Sequence, residues 1–171
     1  MINKTIEIYT DGSSLGNPGR GGWGAVVVEK TKSIKDGSPD ASVEAFREKI
    51  IEELGGCDKD TTNNRMELAA AIEAIKYINK KHKECIVTIH ADSSYVLGGV
   101  TNWIFGWEKN GWRTANKKPV MNQELWKELI AHVRESKATI TWQKVKGHSG
   151  HVYNDKADEI ATTYAANQKR N

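Results

Sequence analysis

The stretch IYTDGSS, residues 8–14, has an echo in IHADSSY, residues 89–95: each runs from β-forming residues into an aspartate and then small hydroxyl side chains. Both read as a strand giving way to a turn, with Asp11 and Asp92 at the carboxyl ends of their strands. Taken alone, Asp92 reads first as a turn former or helix N-cap. If the two strands are parallel neighbours, however, the aspartates converge where open α/β sheets bind ligands.

Working outward from these two points, strands are expected over residues 4–10, 22–29, 48–54, 85–90 and 138–145. The glycine-rich run SLGNPGRGG makes a hairpin-like link between the first two. Apolar residues at Leu68, Ala71, Ile72, Ile75 and Ile78 recur with helical spacing and predict a helix over 66–80. A short helix is expected from Ser93, and longer ones over 121–135 (Leu125, Leu129, Ile130 and Val133 apolar) and 154–166 (Ala157, Ile160, Ala161 and Tyr164 inward). Three leading strands followed by strands alternating with helices predict an α/β fold. Its one mixed five-stranded sheet has three antiparallel strands, then two parallel ones, flanked by helices.

A chain of 171 residues supports one domain with a core of its own, so a single domain over 1–171 is expected. With 38% hydrophobic and 27% charged residues and no apolar run near the roughly 18 residues of a membrane span, a membrane protein is excluded. The start MINKTIEIYTDG leaves no room for a signal or transit peptide, and Cys57 and Cys85 have no CxxC partner, so a reducing cytoplasm is expected.

The overall formal charge of +3 is unevenly spread, because residues 36–60 hold eight acids against three bases, a net −5. A surplus of about +8 elsewhere favours a polyanionic partner approached from one side. Residues 30–46 read as an acidic insertion, an extended loop or small helix through Val43 and Phe46. Residues 103–120 set Trp103, Trp107 and Trp112 among Lys109, Arg113, Lys117 and Lys118, a basic aromatic stretch suited to nucleic-acid phosphates. Trp103 and Trp107, four apart, also suit packing against each other.

Converging carboxylates repel, and a hard cation with oxygen ligands, Mg²⁺ or Mn²⁺, keeps them ionised together. Two such ions about 4 Å apart can hold both the attacking and the leaving oxygens of a phosphodiester. Further acids are needed, and Glu67 in TTNNRMEL and one acid of the last helix are the candidates. Asn64 and Glu67 also have the spacing of a capping box. On the last helix Asn154 and Asp158, four apart, share a face, whereas Asp155 does not. His148, His151 and Asp155 suggest zinc only weakly, since Ser149-Gly150 implies a loop and no cysteine is near. His148 suits proton transfer beside carboxylates, and His151 reads as structural.

Taken together, YTDGSSLGNPG, TTNNRMEL, ADSSYV, GWRTANKKPV and VKGHSGHxxNxxxD resemble the type-one ribonuclease H family in its single-domain bacterial form, in family order and over nearly the whole chain. The resemblance implies a ribonuclease-H-like sheet and an endonuclease that cuts the RNA strand of RNA–DNA hybrids. It implies two divalent ions, a metal-activated water as nucleophile, and 5′-phosphate and 3′-hydroxyl products. By motif match Asp11, Glu67, Asp92 and Asp158 are the catalytic, metal-binding carboxylates, and His148 the histidine assisting proton transfer or product departure.

The same resemblance places Asn17, Asn63 and Asn64 on sugar and base edges of the minor groove, where amides can pair with 2′-hydroxyls. It makes Thr62 and Arg65 a phosphate-holding pair for the DNA strand, and Asn154 a further substrate contact. Trp103, Lys109, Trp112, Arg113, Lys117 and Lys118 form its DNA-gripping protrusion. Ser14 and Ser94 stand where bacterial members often carry cysteine and glutamine, and Glu108 and Asn110 make the protrusion less basic than in some relatives. A monomer acting on hybrids in the cytoplasm is the expectation. An idle nucleic-acid-binding module and a DNA-directed nuclease of the same fold are the competing readings.

Overall fold

The structure is a computed structural model that describes residues 4–33, 45–145 and 151–168. Five strands, β1 (Lys4–Ser14), β2 (Gly19–Ser33), β3 (Ala45–Thr61), β4 (Ile86–Ala91) and β5 (Thr139–Lys144), form one sheet in the order β3-β2-β1-β4-β5. β1 pairs antiparallel with β2, and β2 with β3, while β1–β4 and β4–β5 are parallel. The helices are α1 (Asn63–Lys81), α2 (Ser94–Gly98), α3 (Ile104–Lys109), α4 (Gln123–Glu135) and α5 (Val152–Ala166), with a π-helical turn at Gly99–Trp103 between α2 and α3. The expected mixed sheet is therefore present.

Alternation along the strands sends Ile6, Ile8, Val27, Val87 and Ile89 to one face, where the α1 stripe of Leu68, Ala71, Ile72, Ile75 and Ile78 is buried against them. Trp126 and Leu129 of α4 complete that core, and Trp126 is its largest fully buried side chain. Reading α4 through its leucines alone passes over Trp126. On the other face Tyr9, Val26 and Val28 pack against Ala157 of α5. Helix α5 comes close because β2 has glycines beneath it: a Cβ at Gly22 would lie 2.2 Å from the Ala161 carbonyl oxygen, and one at Gly24 2.5 Å from that of Ala157. Tyr164, expected inward, is 43% exposed, and Ala165 takes the buried position beside it.

Several boundaries differ from the sequence reading. β1 does not stop at Asp11-Gly12. Its parallel ladder with β4 ends at Thr10↔Ala91, but its antiparallel ladder with β2 continues to Ser14↔Gly21. β3 spans 17 residues instead of seven, because an edge strand exposed along most of its length has no apolar period to betray it. The flanks of the acidic insertion are strand as well, not loop or helix, with Lys30↔Glu48 and Lys32↔Phe46 in register and the Lys30 ammonium 4.8 Å from the Phe46 ring centroid. The remainder of that insertion, 34–44, lies outside the described residues, Val43 included.

Candidate active site

The parallel pairing of β1 with β4 puts Asp11 and Asp92 side by side, each one residue past the last paired position, Thr10↔Ala91. Glu67 reaches the same point from the first turns of α1. One carboxylate oxygen from each of Asp11, Glu67 and Asp92 lies within 4.8 Å of the others, and Asp11 and Glu67 are buried.

Glu67 is delivered there by a close backbone contact. A Cβ at Gly12 would lie 2.3 Å from the Glu67 amide nitrogen, so only glycine after Asp11 lets the start of α1 rest on β1. The helix is capped by Thr62, whose Oγ1 accepts from the Arg65 amide at 3.3 Å. This corrects the capping-box reading: with Thr62 as cap, the third helical residue is Arg65, and Glu67 lies beyond the reach of a reciprocal cap. The acid faces the cluster instead.

The electrostatics follow from burial and crowding. Asp11 is pushed up to about 7, first by desolvation and then by the Asp92 charge, with the Gly12 amide (2.8 Å to Oδ1) pulling the other way. Asp158 on α5 is near enough for its charge to add to that rise. Glu67 is raised well above the ordinary range, by burial first and then by Asp11 and Asp92. Its Oε2 is buried and has no hydrogen-bond partner among the described residues. An orphaned carboxylate oxygen in a crowd of acids is costly without a cation, and an all-oxygen donor set suits a hard divalent ion. The residues present thus fit a metal.

Of the remaining expected residues, Asn154 is buried with Oδ1 unpartnered, Asp158 is half-buried, and Asp155 is exposed away from them. His148 lies outside the described residues. His151, exposed at the cap of α5, stacks on Tyr9 with ring centroids 4.8 Å apart, and Tyr9 stacks on His90 at 4.4 Å. Burial first, then Glu7 and Glu48, raises the Tyr9 phenol above its usual range. The acid cluster that forms among the described residues contains no histidine.

Asn17, Asn63 and Asn64 are exposed, and Arg65 is half-buried. Arg65 Nη1 donates to Asn122 Oδ1 at 3.2 Å and to Glu124 Oε1 at 2.5 Å. Sequence reasoning missed Asn122 and Glu124. Asn122 takes a left-handed conformation (φ 57°) at the cap of α4, and its Nδ2 donates to the Tyr95 hydroxyl at 3.0 Å, which also accepts from Trp126 Nε1. The asparagine ahead of an apolar-periodic run was the available signal.

In the protrusion Lys109, Arg113, Lys117 and Lys118 are exposed. Trp103, Trp107, Trp112 and Trp126 form a chain of ring contacts, with centroids 6.0, 6.1 and 5.5 Å apart around Trp107. Trp103 keeps 41% exposure and Trp112 is half-buried, so both hold the element up while presenting an edge to solvent. Glu108 has a partner outside this stretch. Arg134 of α4 holds it through two bonds of 2.6 and 2.8 Å, which turns the acid into an anchor.

Fold and site together define an α/β protein of ribonuclease-H-like architecture with a carboxylate cluster at the end of its parallel strands. The RNase H family model matches residues 3–166. The chain is 45% identical over 162 residues to ribonuclease H of Novosphingobium aromaticivorans, covering 95% of this chain and 97% of the relative. It is 45% identical to ribonuclease HI of Neisseria meningitidis serogroup B, covering 96% of this chain and 98% of that one. Among solved structures, LC9-RNase H1, described as a type 1 RNase H with the type 2 active-site motif, superposes with a TM-score of 0.68. It is 28% identical, over 99% of this chain and 75% of the other. The chain belongs to the RNase H family, a family of endonucleolytic hydrolases.

Proposed function

We propose that this protein hydrolyses the RNA strand of RNA–DNA hybrids with two divalent cations, Mg²⁺ or alternatively Mn²⁺, leaving 5′-phosphate and 3′-hydroxyl ends. The observation that carries the reading is the buried Glu67 carboxylate, with Oε2 unpartnered and one oxygen within 4.8 Å of Asp11 and Asp92, in a chain of this family. In this reading Asp11, Glu67, Asp92 and Asp158 hold the cations. When bound, these ions supply the charge that activates a water and stabilises the departing oxygen.

The chain's own residues do the rest. Gly12 and the Thr62 cap fix Glu67 so that the carboxylates need no reorganisation on binding. Asn17, Asn63 and Asn64 offer exposed amides that donate to and accept from 2′-hydroxyls across a wide minor groove. Thr62 and Arg65 hold a DNA-strand phosphate. Lys109, Arg113, Lys117 and Lys118, with Trp103 and Trp112, grip the backbone further along, and Asn154 orients substrate beside Asp158. His148 moves a proton or assists product release. We assign a monomer working in the cytoplasm. No helix among the described residues is long and apolar enough to cross a membrane, and Cys57 and Cys85 are both free.

The test is end-group analysis of labelled RNA cut within a hybrid in Mg²⁺, in Mn²⁺ and in chelator. The expected products carry 5′-phosphate and 3′-hydroxyl and vanish with the chelator. Cyclic-phosphate ends, or cutting that survives chelation, would sink the two-ion reading.

A further inference from the structure

Lys144 is the last residue of β5 and pairs in register with Ala91, the residue before Asp92. It is exposed, its Nζ donates to Ser94 Oγ at the start of α2, and it makes no ion pair among the described residues. Strand spacing of about 4.8 Å sets its Cα roughly one strand beyond Asp92, on the side of the acid cluster away from β1. A lysine stem of four methylenes keeps the ammonium at that rim.

Two features make this more than a solvated charge. Ser94 replaces free rotation of the ammonium with one direction, since a hydroxyl accepts a single Lys144 proton and leaves two N–H groups to point outward. Ser94 also sits one residue beyond Ser93, whose Oγ accepts from the Val96 amide at 3.2 Å and fixes the turn out of β4. The hydrogen bond to Ser94 thus favours one placement of the cation, beside the carboxylates proposed above to hold metals.

We infer that Lys144, oriented by Ser94, contacts a backbone phosphate of the cleaved strand a few linkages from the scissile one. The inference rests on the hybrid-cleaving function proposed above and adds a substrate contact to it. Lysine acts on phosphate as a point charge, so the contact adds affinity with no sequence preference.

The test is binding of a labelled hybrid by the full chain in chelator, where no cutting occurs, across a range of salt. Lys144→Met keeps the stem and removes the charge. It should weaken binding roughly three- to fivefold and flatten the slope of log affinity against log salt by about 0.9, with thermal stability unchanged. Lys144→Arg should restore the slope. Neutral methylphosphonate linkages placed one at a time near the cut should weaken wild-type binding at one position where Lys144→Met is indifferent. An unchanged slope in Lys144→Met overturns the assignment, as does a uniform response to the linkages, while wild-type cleavage in Mg²⁺ leaves the proposed function standing. A wild type that neither binds nor cuts hybrid removes the proposed function itself.

Discussion

Gly12 and Glu67 touch through their backbones: a single methyl group on Gly12 would lie 2.3 Å from the Glu67 amide nitrogen and 2.5 Å from the Met66 carbonyl carbon. Neither atom belongs to a flexible side chain, so the methyl must push α1 off β1. Gly12→Ala is expected to lower stability by about 2–3 kcal/mol in urea unfolding, the usual cost of overpacking. Cleavage should fall far more than stability, because Glu67 moves relative to Asp11 and Asp92. An activity loss no larger than the unfolded fraction explains would separate this contact from the site.

Glu67→Gln distinguishes the acid's electrostatic role from its place in the helix. The carboxylate is buried among acids with one oxygen unpartnered, and Thr62, not Glu67, caps α1. Removing the charge should raise the melting temperature of the metal-free protein at pH 8 and abolish the rise that Mg²⁺ gives the wild type. Hybrid binding in chelator should persist while turnover is lost. A variant that still responds to Mg²⁺ would remove Glu67 from the metal site.

The pH dependence has a definite sign. Asp11 is raised from 3.8 to about 7 in the fold, so the folded protein binds a proton that the unfolded chain has released between those values. That contribution is fully present below about pH 4 and is lost as pH rises through about 7. A cation competes with the same proton and reverses the trend. The Mg²⁺-induced increase in melting temperature should therefore grow between pH 6 and pH 8, and a flat profile would contradict a protonated Asp11.

Arg65 is held by Glu124 at 2.5 Å and Asn122 at 3.2 Å, and the pairing keeps the Glu124 carboxyl below the ordinary carboxylate range. A phosphate must displace or share Glu124, whereas Asn122, tied to Tyr95, supports the guanidinium from behind. Glu124→Gln should tighten hybrid binding roughly two- to threefold at low salt, since an exposed pair is worth little and is easily given up. Asn122→Ala should weaken it. A Glu124→Gln variant that binds more weakly, or an Asn122→Ala variant that binds more tightly, would mean that Arg65 does not hold phosphate.

Much of this arrangement was legible in the sequence, for reasons that particular residues make plain. The IYTDGSS and IHADSSY echo located the parallel pair because an aspartate follows the last position of the parallel ladder on each of the two strands, although β1 itself runs on to Ser14. The α1 stripe was legible because every apolar residue read there is buried. β3 was mostly hidden, since an edge strand rich in Glu, Lys and Asp has no inward period. The Arg65–Asn122–Tyr95–Trp126 chain joins residues far apart in sequence, one of them in a left-handed conformation that composition does not announce. The Glu108–Arg134 pair was hidden for the same reason: the partner lies 26 residues away on another helix.

The most direct measurement is cleavage of the same sequence presented as RNA–DNA hybrid, duplex RNA and duplex DNA, with Mg²⁺ and with the wild type beside Asp11→Asn. Cutting of the RNA strand in the hybrid alone, abolished in Asp11→Asn while that variant still binds hybrid, is the predicted result. Equal cutting of all three duplexes, or undiminished cutting by Asp11→Asn, would contradict it.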